Sequence, residues 1–448
     1  MPITKSVSSL YLLLSLLLVV SGCYKKESSG EETGEATATV EQKDEPRTTT
    51  TAPAESSKVD VNLYLEVSNG MKGFMPPAEA GRKPTEFQSR LNKMISEVQD
   101  GIYVDSKSYY LAKQDNQGRP VLDSVSYSTL KSTVVSGIKA NVLGTPLPAM
   151  LQAALEKSVA QNTVSIIVSD FIHGPDPRDQ GQFISLDSDI RSSLKLAEHK
   201  GLVVAVLADA SSFYGSYYPA VKKPAVSKKL DGEEIPYYIW VIGKQQEVQV
   251  VTNKVLRNLP AQQAYFGFGY TTLPYSAVLK SKQFRPAGVV YCTSRTAETC
   301  TSVNIQPQKD EPVSFTIGVD LNTLPASMQE LAYLKRNLKL AATGCRATIG
   351  DISAATEDTK AIPELAGYTH FVQVNVPELT ANKGTLALQL QQVVPTWIEN
   401  WSTENDNDPA ADPKKTYQFN KIIDGVQALY RDQRKHVFSL TMDFNKAD

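Results

Sequence analysis

A chain of 448 residues has the length of two or three ordinary domains. With 41% hydrophobic and 21% charged residues it holds enough apolar material for a packed core, which excludes a wholly disordered or fibrous chain. A formal net charge of −2 excludes the global basic field on which nucleic-acid binding depends, so no nucleic-acid partner is expected.

Residues 1–22 read as a signal peptide rather than as fold. Lys5 supplies a basic start, and 10–20 is an apolar run interrupted only by Tyr11 and Ser15. At about 11 residues the run is short for a bilayer span and matches the core of an export signal. Val20-Ser21-Gly22-Cys23 follows directly. Small residues before a cysteine at this place resemble the lipobox of bacterial lipoproteins. The resemblance implies that Cys23 becomes the first mature residue and carries covalent lipid. Several acyl chains on one residue anchor a protein to a membrane stably, where a single chain is marginal. No Asp follows Cys23, and the expected address is the outer membrane of a bacterial envelope. Residues 23–58 continue as a tether. Between Lys25 and Lys58 there is no aromatic residue, no Leu and no Ile, and Thr48 to Thr51 are consecutive threonines. Such a segment cannot bury enough apolar area to offset its ordering entropy, and as a coil it spans roughly 30–35 Å on average.

Residues 59–260 alternate strand and helix signals. Val59, Val61, Leu63 and Leu65 mark a first strand. Phe87, Leu91, Met94, Ile95 and Val98 make one helical face behind a Pro84-Thr85-Glu86 start. A short strand is expected at 109–112. Leu147, Met150, Leu151, Ala154 and Leu155 make the next helical face, and 164–168 is a β-branched strand of the kind covered on both sides. Another helix runs through Ile190, Leu194 and Ala197. Buried strands follow at 202–207 and 237–242, with a last helix at 245–256. This rhythm predicts an α/β domain with a doubly wound, Rossmann-like sheet.

From 261 to 448 the rhythm changes to a β-rich pattern. Val313, Phe315, Ile317 and Val319 alternate with polar residues, as do Leu386, Leu388 and Leu390, while Gln373 and Asn375 face away from the apolar side of the strand begun by Phe371. These are half-buried strands of a mainly antiparallel, sandwich-like domain. One helix at 417–430 and a strand at 436–444 close the chain. Cys292 and Cys300 flank a seven-residue polar turn between strand-like runs, the arrangement of a hairpin disulfide, which leaves Cys345 as a buried thiol. No cysteine spacing resembles a zinc site.

Three stretches carry the functional signal. Glu66-Val67-Ser68-Asn69-Gly70 ends the first strand, Gly144-Thr145-Pro146 opens a helix, and Ser169-Asp170 ends a later strand. Short polar residues at strand ends and a helix start are how an open α/β sheet builds a ligand site at its carboxyl edge. Together they resemble the metal-ion-dependent adhesion site of von Willebrand factor A domains, where a strand ends in Asp-x-Ser-x-Ser, a later Thr opens a helix and a later strand ends in Asp. The resemblance covers about 200 residues. It implies Mg²⁺ or Mn²⁺ held by Ser68, Thr145, Asp170 and Glu66, and a protein partner whose carboxylate completes the shell. Glu66 stands where Asp is usual and Gly70 where a second ligating Ser is usual, so the site is a degenerate one. Lys72, Phe74 and Arg178 sit beside these stretches as expected partner-binding residues, Arg178 within the polar loop 173–179.

Glu404, Asp406 and Asp408 form an acidic run without the glycine and terminal Glu of a calcium loop, and read as a solvated loop. There is no Gly-x-Ser-x-Gly, no His-Glu-x-x-His and no Gly-x-x-x-x-Gly-Lys, and no enzymatic activity is expected. The sequence supports a lipid-anchored envelope protein that binds a protein partner through the α/β domain. The alternative is a structural envelope component whose sheet is a metal-free scaffold and whose binding surface is the C-terminal β domain.

Overall fold

The computed structural model describes residues 58–79, 82–139, 141–142, 146–174, 183–221, 227–259, 261–279, 281–294, 296, 298–308, 311–431 and 435–447. The expected signal peptide, Cys23, the tether up to residue 57, Thr145 and Arg178 lie outside the described residues.

The first part of the chain runs β1 (Val59–Glu66), a 3₁₀ turn over Gly70–Phe74, α1 (Glu86–Asp100), β2 (Val104–Gln114), β3 (Pro120–Val125), α2 (Tyr127–Ser136), α3 (Leu147–Gln161), β4 (Val164–Ser169), α4 (Leu186–Ser193), α5 (Lys195–His199), β5 (Val203–Tyr217), β6 (Lys228–Gly243), α6 (Gln245–Val250) with a π-helical turn over Val251–Val255, and β7 (Gln262–Phe266). The strands form one seven-stranded sheet in the order β3-β2-β1-β4-β6-β5-β7. Local chemistry fixes the helices. Thr85 and Gln88 close a capping box at the start of α1, whose inner face buries Phe87, Leu91, Met94, Ile95 and Val98.

The sheet is mixed rather than uniformly doubly wound. β1 lies parallel to β2 and β4, but β6 inserts between β4 and β5 and runs antiparallel to both. The reason is covalent. Only residues 218–227 separate β5 from β6, too few for the dozen or so that a parallel crossover needs. β5 and β6 also extend beyond the carboxyl ends of β1 and β4 as a long hairpin, pairing from Val203 opposite Gly243 out to Tyr217 opposite Lys228.

The second part runs β8 (Tyr275–Ser276), β9 (Val289–Cys292), β10 (Ser302–Gln306), β11 (Val313–Val319), α7 (Ala326–Gln329), α8 (Leu331–Asn337), β12 (Leu338–Thr343), β13 (Cys345–Ala354), α9 (Glu357–Lys360), β14 (His370–Leu379), β15 (Lys383–Gln391), α10 (Trp397–Asn400), the two-residue strands β16 (Ser402–Thr403) and β17 (Thr416–Tyr417), α11 (Phe419–Tyr430) and β18 (His436–Lys446). Five strands pair in the order β12-β15-β18-β10-β9 and four in the order β13-β14-β11-β8. All neighbours are antiparallel except β10 and β18. Val303, Ile305, Leu386, Met442 and Phe444 from the first sheet share one apolar cluster with Val313, Phe315, Ile317, Val374 and Val376 from the second. Strict alternation thus places one face of each sheet inside. A disulfide joins Cys292 to Cys300, and Cys345 is a buried free thiol.

Residues from 54 onward form one compact unit. β7 belongs to the first sheet although it follows residue 260, and α11 covers that sheet's second face through Phe419, Ile422, Ile423, Val426 and Leu429, packed with Leu186, Ile190 and Trp240. On the other face Leu65 and Val241 share a cluster with Leu388, Leu390 and Phe438. Residue 260 therefore marks a change in secondary-structure rhythm, not a separation of cores.

Candidate functional site

The first and third polar stretches meet at the carboxyl edge. Parallel pairing sets Leu65 beside Val168, so Glu66 and Ser169 emerge side by side, and Ser169 Oγ donates to Glu66 Oε2. The second stretch joins at its flank. Asn69 N donates to Val142 O at 2.8 Å, and Lys72 Nζ donates to Asn141 Oδ1 at 2.7 Å. The loop that leads to Thr145 therefore starts at the same rim.

Ser68 and Asp170 face each other across Gly70. A Cβ added at Gly70 would lie 3.1 Å from Asp170 Oδ2 and 3.4 Å from Ser68 Oγ. The glycine thus leaves a small cradle between a carboxylate oxygen and a hydroxyl. The other carboxylate oxygen, Asp170 Oδ1, accepts from Ile172 N at 3.0 Å. The turn that makes this bond is strained: Phe171 has φ +54°, a left-handed conformation that a bulky side chain rarely adopts. Its ring is stacked on Trp240 with centroids 4.6 Å apart. Packing thereby holds a conformation that costs about 1–3 kcal/mol in isolation, a form of strain that clusters at functional sites.

The electrostatics are unusual for a protein interior. Ser68 is 2% exposed, Glu66 and Asp170 5% each, and Asp406 3%. Burial, then the neighbouring Glu66 and then Asp406 push the Asp170 carboxyl well above its ordinary range, against the opposing pull of the Ile172 N–H. Burial also raises Asp406, against hydrogen bonds from Ala220 N at 2.6 Å and Val221 N at 3.2 Å. Tyr217 OH lies 3.3 Å from Asp406 Oδ2. Burial raises Tyr217 and Tyr238, with Asp170 adding to both. His173, just past the site, is lowered to about 4 by burial.

Asp406 corrects one sequence expectation. The acidic run is not a wholly solvated loop. Its central member reaches back nearly two hundred residues to cap the backbone N–H groups at the end of the β5–β6 hairpin, an interaction no local pattern announces. Segment 402–418 straps this edge at further points: Lys228 pairs with Asp408, Lys414 with Glu234 at 3.0 Å, and Tyr238 OH donates to Thr416 Oγ1 at 3.0 Å.

Phe74 corrects another. It is fully buried, with ring centroids 5.0 Å from Phe213 and 5.2 Å from Phe87, and so offers no surface to a partner. Met71, Phe74 and Met75 are spaced as one helical face, which was the available signal. Gly73 permits the close fit, because a Cβ there would fall 2.1 Å from the Phe213 ring. Lys72 points outward and remains at the rim.

The donors fit a hard divalent cation in kind: a hydroxyl and a carboxylate oxygen border the cradle, with no sulfur or imidazole in the set. They are few. Among the described residues no three His, Cys, Asp or Glu side chains are arranged around a common metal position. Glu66 is engaged by Ser169. With only Ser68 and Asp170 beside it, an ion here would need further oxygen donors to complete its shell.

Comparison with protein-family models, with curated proteins and with solved structures gives no match for this chain.

Proposed function

We propose that this chain is a lipid-anchored bacterial envelope protein, held to the outer membrane through Cys23, that binds a protein partner at the carboxyl edge of its seven-stranded sheet. A degenerate, von Willebrand factor A-like site lies beneath that surface. Ser68 and Asp170 hold Mg²⁺ or Mn²⁺ in the cradle at Gly70, with Thr145 as a further oxygen donor on the family pattern. The bound ion supplies positive charge to a buried acidic edge. The chain's own groups do the rest. The Ile172 N–H orients Asp170, Ser169 holds Glu66 aside, and Lys72 presents a cation at the rim to a partner's carboxylate.

The observation that carries this reading is the cradle, two oxygens converging on a position that any side chain larger than glycine would fill. Calorimetric titration with Mg²⁺ and Mn²⁺ tests it. The intact chain should bind and the Asp170→Ala variant should not; no binding in either removes the cation from the reading. Labelling with a radioactive fatty acid tests the anchor, and Cys23→Ser should abolish it.

One observation favours a second reading. The site is buried beneath the strap from 402 to 418, whereas Val289 and Tyr291 stand exposed on the edge strand β9, 36% and 41% respectively. In that reading the sheet is a metal-free scaffold and the C-terminal strands bind the partner. Lys72→Glu and Tyr291→Glu in the intact chain separate the two, by which one weakens partner capture from envelope extracts.

A further inference from the structure

A cavity lies away from the carboxyl-edge site, between α1 and the π-helical turn at 251–255 with the residues after it. It is a cleft of about 630 Å³, inside the range of roughly 300–1,000 Å³ typical of small-molecule sites. Its floor is apolar, from Met94, Val255, Leu256 and Leu259. One wall is the turn in which Leu256 N donates to Val251 O at 2.8 Å, an i to i+5 bond. Such π-turns occur frequently at functional sites.

The other wall is a stripe of α1 with a polarity. Arg90, Lys93, Glu97 and Asp100 follow each other at helical spacings of three and four and all line the cleft. Two cations occupy one end and two anions the other. The inner members are partly committed: Arg90 donates to Asp209 Oδ2 and, at 3.3 Å, to Ala210 O, and Glu97 sits 3.7 Å from Arg257. Lys93 and Asp100 are exposed and form no ion pair among the described residues. At 1.5 Å of rise per residue they stand about 10 Å apart along the helix. Asn92 also lines the cleft, and its buried Oδ1 has no donor among the described residues.

We infer that this cleft binds a short zwitterionic peptide of about three residues, with its carboxylate toward Lys93 and Arg90 and its ammonium toward Asp100 and Glu97. An extended tripeptide spans about 10 Å at 3.3–3.6 Å per residue, which matches the separation of the two free charges. A middle side chain that is apolar rests on Met94 and Leu256. Opposite charges at the two ends reject a simple fatty acid, whose tail would have to lie against Glu97 and Asp100. This inference does not depend on the proposed function of the carboxyl edge.

Calorimetric titration of the intact chain in detergent tests it, with alanyl-leucyl-alanine, its N-acetylated and C-amidated form, and octanoate as probes. The free tripeptide should bind saturably, and blocking both termini should weaken it at least tenfold. Lys93→Glu and Asp100→Lys should each weaken it about three- to fivefold, the scale of an exposed charge pair. Both positions are on the surface, and an unchanged circular dichroism spectrum confirms that the variants fold. Absence of saturable binding down to affinities of about 1 mM overturns the inference. So does equal binding of the blocked peptide, or binding of octanoate without the tripeptide.

Discussion

The seven-stranded sheet and the C-terminal sandwich bury apolar side chains equally well, yet they treat charge in opposite ways. On the strands of the sandwich no Asp or Glu is buried, and Val313, Phe315 and Ile317 pack directly with Leu386, Met442 and Phe444. The three buried carboxylates among the described residues, Glu66, Asp170 and Asp406, gather at one edge of the larger sheet. Packed cores need no such groups, and burying them is unfavourable unless a proton, a hydrogen-bond set or a cation compensates. The contrast teaches that the sandwich is built for stability, whereas the carboxyl edge keeps a feature that stability alone would remove.

That contrast can be broken at its strongest point first. Leu388→Ala deletes a fully buried side chain where the sandwich joins the larger sheet, and should lower unfolding free energy by about 2–5 kcal/mol in urea titrations. A loss below about 1 kcal/mol would show that the sandwich is not the stable region. Acid acts next, and on the other region. Burial lowers the folded His173 pKa to about 4, against about 6.5 unfolded. Neutral His173 therefore contributes fully above pH 6.5, and its contribution is lost as pH falls toward 4, by up to about 3 kcal/mol. His173→Gln should reduce the loss of stability in this window; His370, which burial also lowers, adds to the slope that is left, and Asp170 and Asp406, which burial raises, oppose it. An unaltered slope would mean that His173 becomes solvated.

Asp406→Asn sharpens the comparison further. It keeps one oxygen to accept from Ala220 N, gives up the second acceptor that Val221 N uses at 3.2 Å, and removes one buried negative charge beside Asp170. Without divalent cations at neutral pH the variant should be as stable as the parent, or more stable by about 1 kcal/mol. A loss above about 2 kcal/mol would show that the charge itself holds the strap. Lys228→Ala, which removes the exposed pair with Asp408, should leave stability close to that of the parent. A larger loss by thermal denaturation would make that pair the principal clasp of the strap.

Much of the fold was legible. The spacing of Phe87, Leu91, Met94, Ile95 and Val98 gave α1 its buried face, and the alternation of Val313, Phe315, Ile317 and Val319 gave β11 its own. Strand direction was not read from the buried runs, because a continuous apolar stretch such as 237–242 looks the same in parallel and antiparallel pairing. The short connection from 218 to 227 held the missing information. β3 and α2 escaped because 120–136 mixes polar and apolar residues without a clear period. At the site, Ser68 and Asp170 were legible from their places at strand ends, and so was their convergence. Asp406 was not, since its partners are Ala220 and Val221, and nothing in an Asn- and Asp-rich stretch indicates that one carboxylate turns inward.

Helix α11 has a consequence for how the molecule comes into being. It completes the core on one face of the first sheet, and Tyr430 OH reaches Leu202 O at 2.9 Å across a sequence separation of 228 residues. The first sheet to be synthesised thus waits for a helix that comes late in the chain. Until residue 430 is available, the surface around Leu186, Ile190 and Trp240 lacks the part of its cover that α11 supplies. Closure over so long a separation is slow, and a chain waiting with that surface exposed is prone to aggregate. A growing polypeptide of this sequence cannot complete the core of its first half until α11 has been made.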